Sequence, residues 1–531
     1  MNELTVAPPR TDPAPPSAPP RSRRGHPWLT LLSVALGVIM VGLDGSVVAI
    51  ANPAIAADLN ASLSQLQWIT NAYLLALGVL LILAGKLGDC FGRRRVFLIG
   101  VVGFGIASAG IGLVGTTGGV IALRALQGVF GALLMPNSLA LLRATFPPER
   151  LNMAIGIWGG ASAVSIAAGP IVGGLLVEHV SWQSVFFLNV PLALLALALG
   201  AAVLAESRSH GHHAHDLPGI ALLAGGLFAL VYGLIKAQEW GWGGANTVAF
   251  IAGGLLLLAA FAIVEARTRL PLLPMRLFAN RSLSIGTGTV LVGFMAMFGV
   301  LFFLTLYLQN VHGYTPVQAG VRVLPLSLAM MVGSPLGGYL TQRLGARPPL
   351  VGGLTLIGVA LLLMTGIEVD SGFSALWPSL VMLGVGLGFV VTSSAEAIVG
   401  NAPVDDAGVA SGLQSTAVQV GGVMGTAILG SVISSAVGAA LFDKLTGAGV
   451  PAGIATRLEA AKELVGQGAV PPLPAIDPAL QTAVASGSHE AFMVGFHTAM
   501  VVGAVLALLA AVVALGVRGG KGGAGAGPVV H

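Results

Sequence analysis

Fourteen apolar segments run along the chain, each about as long as a membrane-spanning helix. A helix needs about 20 mostly apolar residues to cross a bilayer. The segments lie near residues 29–50, 66–86, 96–115, 119–142, 153–177, 185–205, 217–236, 248–265, 284–309, 318–340, 350–367, 376–399, 408–436 and 491–517. Charged residues make up only 9% of the 531, which excludes a water-soluble surface. The sequence therefore predicts an all-α polytopic membrane protein.

The lysines and arginines are unevenly divided between the two sides that these spans define. Nineteen of the 25 fall in segments on the same side as the N-terminus, and only four fall in segments on the other side. Cytoplasmic loops carry the excess of Lys and Arg in membrane proteins. We therefore expect both termini in the cytoplasm, as a disordered tail at 1–27 and a second tail at 519–531.

A short charged segment follows the second span and reads Gly85-Lys86-Leu87-Gly88-Asp89-Cys90-Phe91-Gly92-Arg93-Arg94-Arg95. It is too short to form a domain, so its charges act on the helix ends. Part of it recurs after the tenth span, where four residues stand at the same offsets: Gly338, Leu340, Gly345 and Arg347. Internal repeats build many transporter folds, with the binding site between the halves. The pattern predicts two six-helix bundles and two extra central helices.

These observations divide the chain into three membrane regions. The first bundle is 28–205, a linker with two extra spans is 206–283, and the second bundle is 284–518, with an outer loop at 437–490. That loop contains alanine-rich, weakly helical pieces, and both a shield over the outer vestibule and disorder are open interpretations. The linker also carries four histidines without an acidic partner, for which we expect no metal site: His210, His212, His213 and His215.

Ionisable residues within spans cost roughly 2.5–3.5 kcal/mol each to insert and therefore need a reason, and three of them are candidate functional residues. Asp44 lies in the first span, and burial favours the neutral, protonated form of a carboxyl group. Arg124, in the fourth span, is its natural partner, because a nearby cation favours the charged carboxylate. Glu396, near the end of the twelfth span, is a candidate for proton or substrate handling. The alternatives are that Asp44 caps or hydrogen-bonds a neighbouring helix, that Arg124 forms a static ion pair or extends outward to the membrane surface, and that Glu396 is an interface anchor.

The fifth span carries a glycine–proline motif made of Gly160, Gly169, Pro170, Gly173 and Gly174. The spacing of Gly169 and Gly173 allows close helix contact. Pro170 lacks a backbone donor and permits a kink. The motif is interpreted either as packing alone or as a pliable hinge for alternating access.

Several classes of function are disfavoured by what the sequence lacks. Cys90 is the single cysteine, so an internal disulfide or a CxxC metal site is excluded. No GxxxxGK[ST] motif is present, and the glycines of 384–388 lie inside a span rather than between a strand and a helix. We expect no enzymatic activity, no cofactor, no metal and no nucleic-acid partner.

Five motifs in register resemble the fourteen-helix drug:proton antiporter branch of the major facilitator superfamily. They are the Leu43-Asp44 start of the first span, the charged segment after the second, the Arg124 motif, the glycine–proline motif, and the segment from Trp182 to Pro191. The resemblance covers residues 28–518. One departure is Asn52, which stands where a small apolar residue is usual.

The resemblance implies a role for several of these residues. Asp44 is expected to take part in proton coupling or cation recognition, and Arg124 to assist proton transfer. Six residues are expected to form a cytoplasmic gate: Gly85, Gly88, Asp89, Gly92, Arg93 and Arg94. Within it, Asp89 is expected to act with Arg93 and Arg94 as a latch. Gln342 replaces the acid in the second copy of the segment.

The implied function is a proton-coupled antiporter in the bacterial inner membrane that exports amphipathic drugs or antibiotics. Its partners would be a small amphipathic organic substrate, protons and the lipid bilayer, and we expect a monomer. Two alternatives stay open. One is a dedicated exporter of an endogenous metabolite, such as the cell's own antibiotic, a siderophore or an amino acid. The other is a non-transporting receptor, which has no need of the intact Asp44, Asp89 and Arg124.

Overall fold

The computed structural model describes residues 24–207, 217–268, 271, 273–403, 407–472 and 478–518. Residues 1–23 of the first predicted tail, the histidines of 210–215 and the tail at 519–531 lie outside the described residues. The α-helices are α1 (Pro27–Leu59), α2 (Leu63–Phe91), α3 (Arg93–Leu113), α4 (Thr117–Thr145), α5 (Pro148–His179), α6 (Ser184–Phe187), α7 (Asn189–Val203), α8 (Leu217–Trp240), α9 (Ala245–Arg267), α10 (Arg281–Leu306), α11 (Pro316–Leu344), α12 (Arg347–Met364), α13 (Phe373–Ile398), α14 (Ala407–Gly447), α15 (Ala452–Leu458), α16 (Lys462–Val465) and α17 (Pro478–Ala514).

Fourteen spans are present as helices, as predicted. Among the residues that the structure describes, twelve spans are long and apolar enough to cross a membrane, with α6 and α7 counted as one span. The other two spans, α2 and α5, are long enough only when the two parts on either side of a bend are counted together. The bend is 55° near residue 82 in α2 and 41° near residue 167 in α5. The α5 bend lies three residues before Pro170. A proline inside a helix disrupts the turn that precedes it, which explains this bend.

The helices pack as two bundles with the same pattern of neighbours. In the first bundle, α1 packs on α5 and α7, while α4 packs on α2 and α3. In the second bundle, α10 packs on α14 and α17, while α13 packs on α11 and α12. The charged segment repeats its backbone too, since φ is +105° at Gly92 and +83° at Gly345. Glycine adopts such angles readily. The repeat in the sequence is therefore a repeat in the structure.

The two bundles meet along two helix pairs that the repeat makes equivalent, α5 with α11 and α2 with α14. Glycines let the backbones approach closely at the first pair. A Cβ added at Gly174 would lie 2.7 Å from Cα of Val317, and one at Gly320 would overlap the carbonyl oxygen of Pro170. At the second pair, Oγ1 of Thr416 donates a hydrogen bond to the carbonyl of Gly78 at 3.1 Å.

The two extra helices attach at the α2–α14 side of the molecule. α8 and α9 pack on each other, and α8 also packs on α2 and α14. Aromatic rings carry part of this contact, because Trp68 of α2 lies with its ring centroid 5.6 Å from that of Phe228 and 5.9 Å from that of Tyr232. The extra pair thus borders the junction between the bundles.

Helices occupy both ends of the segment predicted as the outer loop, 437–490. α14 continues to Gly447 and α17 begins at Pro478, because the alanine-rich sequence at these ends favours helix. The part in between crosses the ends of both bundles. The side chain of Gln467 donates to the carbonyl of Ala61 at 3.3 Å, and Asn310 of the second bundle donates to the Gln467 carbonyl at 2.7 Å.

Two ends of the molecule can therefore be told apart. We call the end crossed by this segment the Gln467 end, and the opposite end, where α2 gives way to α3, the Asp89 end. Gln467 is only 4% exposed, so its bonds are sheltered from water. The segment ties the two bundles together at the Gln467 end.

A pair of glycine substitutions on α5 tests the close contact between the bundles. We expect Gly174→Ala to lower the free energy of unfolding by roughly 1–3 kcal/mol, because the added methyl group meets the α11 backbone. Gly160→Ala on the same helix is the matched control, since nothing lies within 4 Å of its added Cβ. The measurement is thermal unfolding of the purified protein in detergent. Equal melting temperatures for the two variants would contradict this packing.

Removing the hydrogen bond of the Gln467 side chain tests the connection between the bundles at the Gln467 end. Gln467→Leu leaves the Ala61 carbonyl without this donor, and an unsatisfied buried group costs roughly 1–3 kcal/mol. We therefore expect faster amide hydrogen exchange in residues 58–63 and 305–312. Gln481→Leu, at an exposed position of α17, is the control. Unchanged exchange in both segments would show that Gln467 does not hold them.

Candidate functional site

A buried ion pair joins Asp44 and Arg124 inside the first bundle. Nη1 of Arg124 lies 2.5 Å from Oδ2 of Asp44, and the side chains are 1% exposed for Arg124 and 0% for Asp44. Nε of Arg124 donates to the carbonyl of Ile69 at 3.0 Å, and the guanidinium lies 4.1 Å from the centroid of the Tyr73 ring. The structure thus brings together the two residues that the sequence predicts as partners.

Neutral polar side chains complete the surroundings of Asp44. Its Oδ1 accepts hydrogen bonds from Nε2 of Gln127 at 2.8 Å and from Nδ2 of Asn189 at 3.1 Å. Oγ of Ser108 accepts from the same two amides, at 2.6 Å and 3.3 Å. Oε1 of Gln127 accepts from Nη1 of Arg124 at 2.6 Å. We call Asp44, Arg124, Gln127, Asn189 and Ser108 the Asp44 network.

The sequence reasoning missed the three neutral members of this network. The signal for Gln127 was its place three residues after Arg124, which puts both on one face of α4. Asn189 stands within a motif that was quoted without assigning it a role. Ser108 offers no sequence signal of its own, because serine is common in membrane helices where it bonds to its own backbone.

The network can exist in two charge states. With Asp44 ionised, the pair with Arg124 has no net charge, whereas separating the two leaves an uncompensated buried ion. With Asp44 protonated, the carboxyl group is neutral and can donate one hydrogen bond, and Oε1 of Gln127 and Oγ of Ser108 are acceptor atoms within the network. A neutral carboxyl group at this position would form no ion pair with Arg124.

A cavity of about 380 Å³ lies at the Asp89 end, between α2, α4 and α5 of the first bundle and the start of α14. Gly85, Asp89 and Arg93, three of the predicted gate residues, line it. Nη2 of Arg93 lies 2.7 Å from Oδ1 of Asp89, one helical turn away. Gly88 packs against Oδ1 of Asn137, which leaves no room for a side chain at position 88.

Arg94 lies apart from the Asp89–Arg93 pair. Its Nη2 donates to the carbonyl of Ala201 at 2.9 Å, and its backbone N–H donates to Oε1 of Glu206 at 3.1 Å. Arg95 also approaches Glu206, at 3.7 Å. Among the residues that the structure describes, Arg93 is therefore the ion-pair partner of Asp89, and Glu206 is a further acid at this end that the sequence reasoning missed.

The glycine–proline motif of α5 is divided among different surroundings. Gly169 faces Ser46 and Gly173 faces Val47, both on α1, whereas Gly174 faces α11 of the other bundle. Gly160 has no neighbour where a Cβ would stand. Glu396 is exposed near the end of α13, in the bundle that does not contain Asp44 and Arg124.

Residues 34–426 match the sequence profile of the Major Facilitator Superfamily. The chain belongs to this superfamily. Among its relatives, the Tetracenomycin C resistance and export protein of Streptomyces glaucescens is 49% identical over 505 residues, which cover 94% of this chain and 93% of that protein. The Multidrug efflux pump LfrA of Mycolicibacterium smegmatis is 33% identical over 92% of this chain and 95% of its own length.

The superfamily fold is also found among solved structures. A bacterial homologue of the human lysosomal transporter Spinster, crystallised in an inward-facing and unoccupied conformation, aligns with a TM-score of 0.59. The alignment covers 94% of this chain and 99% of that one, at 17% sequence identity. At this identity the likeness concerns the fold alone.

Truncating Arg124 tests whether the ion pair is needed for stability. We expect Arg124→Ala to cost roughly 3–5 kcal/mol, because it leaves the Asp44 carboxylate buried without its counter-ion. The double variant Asp44→Asn with Arg124→Gln should recover most of this loss, since it removes both charges. Thermal unfolding in detergent measures both. A double variant as unstable as Arg124→Ala would show that shape, rather than charge, dominates here.

Proposed function

We propose that this chain is a proton-coupled antiporter that exports amphipathic antibiotics or drugs across the bacterial inner membrane. The observation that carries the proposal is the buried Asp44 network, in which one carboxyl group can exchange an ion pair for a proton. The two relatives are named for antibiotic export and for multidrug efflux, which supports the same direction of transport and the same class of substrate. The chain moves its substrate without changing covalent bonds, and it works as a monomer.

The Asp89 end is the cytoplasmic end in this proposal. Most lysines and arginines outside the spans belong to segments on that side, as the positive-inside rule requires. The cavity lies at the Asp89 end, and the Gln467 segment ties the bundles at the other end. This combination supports a conformation that receives substrate from the cytoplasm.

The proposed cycle couples substrate and proton through Asp44. In the conformation described, Asp44 is paired with Arg124 and sheltered from water. When the outer side opens, a proton reaches Asp44, the attraction for Arg124 disappears, and substrate leaves outward. Return to the first conformation delivers the proton inward. Each charge that crosses the membrane releases about 2.3 kcal/mol per 100 mV, which drives accumulation of substrate outside.

A narrower function is the second candidate. The relative named for tetracenomycin C matches almost the full length of this chain at 49% identity, well above the 33% of the multidrug pump. This difference favours a dedicated exporter of one antibiotic or related metabolite. The two candidates share the fold, the coupling residues and the direction of transport, so they differ only in the breadth of the substrate set.

Proton release from inverted vesicles tests the proposal. Adding a substrate should collapse an imposed pH gradient in vesicles with the wild type, and Asp44→Asn should abolish the response because asparagine carries no exchangeable charge. Asp443→Asn, at an exposed position near the end of α14, is the matched control and should behave as the wild type. A pH-sensitive dye reports the gradient.

The outcomes separate the candidate functions. Responses to many unrelated compounds indicate multidrug export, and a response to one compound indicates a dedicated exporter. A response that survives in Asp44→Asn would remove this residue from the coupling path. No response to any compound in the wild type would refute proton-coupled export.

A further inference from the structure

We propose that the cavity at the Asp89 end binds planar aromatic molecules that carry a negative charge. The inference rests on the proposed export function and specifies the chemical class of substrate that this function moves. It is carried by the composition and charge of the cavity wall.

The cavity has the size and surface of a small-molecule site. Its volume of about 380 Å³ falls in the range of roughly 300–1,000 Å³ that is usual for such sites. Leu81, Met135 and Leu139 make much of its wall apolar. Trp158 adds a large aromatic ring, and its Nε1 donates to Oγ of Ser138 at 3.0 Å, which fixes the orientation of the ring. A flat aromatic molecule gains most from such a surface.

The charge of the wall decides the sign of the ligand. Asp89 and Arg93 neutralise each other at 2.7 Å. Arg143, in the last turn of α4, also lines the cavity and is exposed, and within the described part of the chain its side chain has no ion-pair or hydrogen-bond partner. The wall thus keeps one uncompensated positive charge. A guanidinium binds carboxylate or phenolate oxygens through charge-assisted hydrogen bonds and repels a cation.

The cavity also joins the two bundles. Ser411 and Ser415 on its wall come from α14 of the second bundle, whereas Arg143 and Trp158 come from the first. A molecule that fills the cavity contacts both bundles, so binding affects how they move relative to each other. This position suits the first contact of a substrate on its way outward.

Two dyes with the same planar phenoxazine skeleton and opposite charge test the inference. Resorufin is the anion and oxazine 1 the cation, and fluorescence anisotropy measures the binding of each to the purified full chain in detergent. We expect the wild type to bind resorufin more tightly. Arg143→Ala should weaken resorufin binding about tenfold, as loss of a charge-assisted hydrogen bond requires, without weakening oxazine binding.

Three further variants distinguish this site from a general effect of charge or stability. Arg143→Lys should keep part of the preference, since the charge remains. Arg150→Ala removes an exposed arginine that does not line the cavity, and should leave both affinities unchanged. Trp158→Leu should weaken both dyes alike, because the ring contact does not depend on the sign of the charge.

The results separate this inference from the proposed function. The inference would be overturned if the wild type bound oxazine 1 more tightly than resorufin. It would also be overturned if Arg143→Ala changed the ratio of the two dissociation constants less than twofold. Either result would leave proton-coupled export intact. Binding of resorufin that depends on Arg143 would support the site. If, in addition, no compound caused proton release in wild-type vesicles, the export function would be refuted.

Discussion

The burial of one carboxylate beside one guanidinium in a membrane bundle is the constraint on which the rest of this structure depends. Neither ion is stable there alone, so every helix around the pair contributes to satisfying it. α1 and α4 supply the charges, α2 a backbone carbonyl and an aromatic ring, and α3 and α7 a hydroxyl and an amide. The second bundle repeats the helix packing without this chemistry. α10, the counterpart of α1, has no acidic residue, and α13, the counterpart of α4, has no arginine. The buried acid–arginine pair is therefore confined to one half of a structurally duplicated protein.

Much of the fold, and the Asp44 and Arg124 members of the Asp44 network, could be predicted from the sequence because they depend on local composition. Apolar runs of span length, an acid at membrane depth and a duplicated glycine pattern each have one ready physical interpretation. The positions of Asp44 and Arg124 could be paired from the cost of burying either alone. The same reasoning could not find Glu206 as the partner of the Arg94 backbone, since 112 residues separate them and only packing brings them together. The spans were placed by apolar length, so the predicted span at 408–436 does not mark the end of α14, which continues to Gly447 through alanine-rich sequence.

The cavity at the Asp89 end shows why a site between bundles is hard to anticipate. Its wall is assembled from five helices, and Arg143 and Trp158 appear in the sequence as an ordinary helix-end cation and an ordinary membrane tryptophan. Their significance comes from what surrounds them. Asp89 is paired with Arg93, so in the part of the chain that the structure describes Arg143 is left to set the charge of the wall. A local sequence pattern does not reveal which of several neighbouring cations lacks a counter-ion.

The glycine contact between α5 and α11 has a consequence for how such proteins diversify. Where backbone touches backbone, as at Gly174 and Val317, the contact between the two bundles depends on few side chains. Substitutions in the cavity wall can then accumulate without disturbing the surface along which the halves move. Under the export function and the binding site proposed above, a lineage that inherits this junction can exchange one exported compound for another by changing a handful of lining residues.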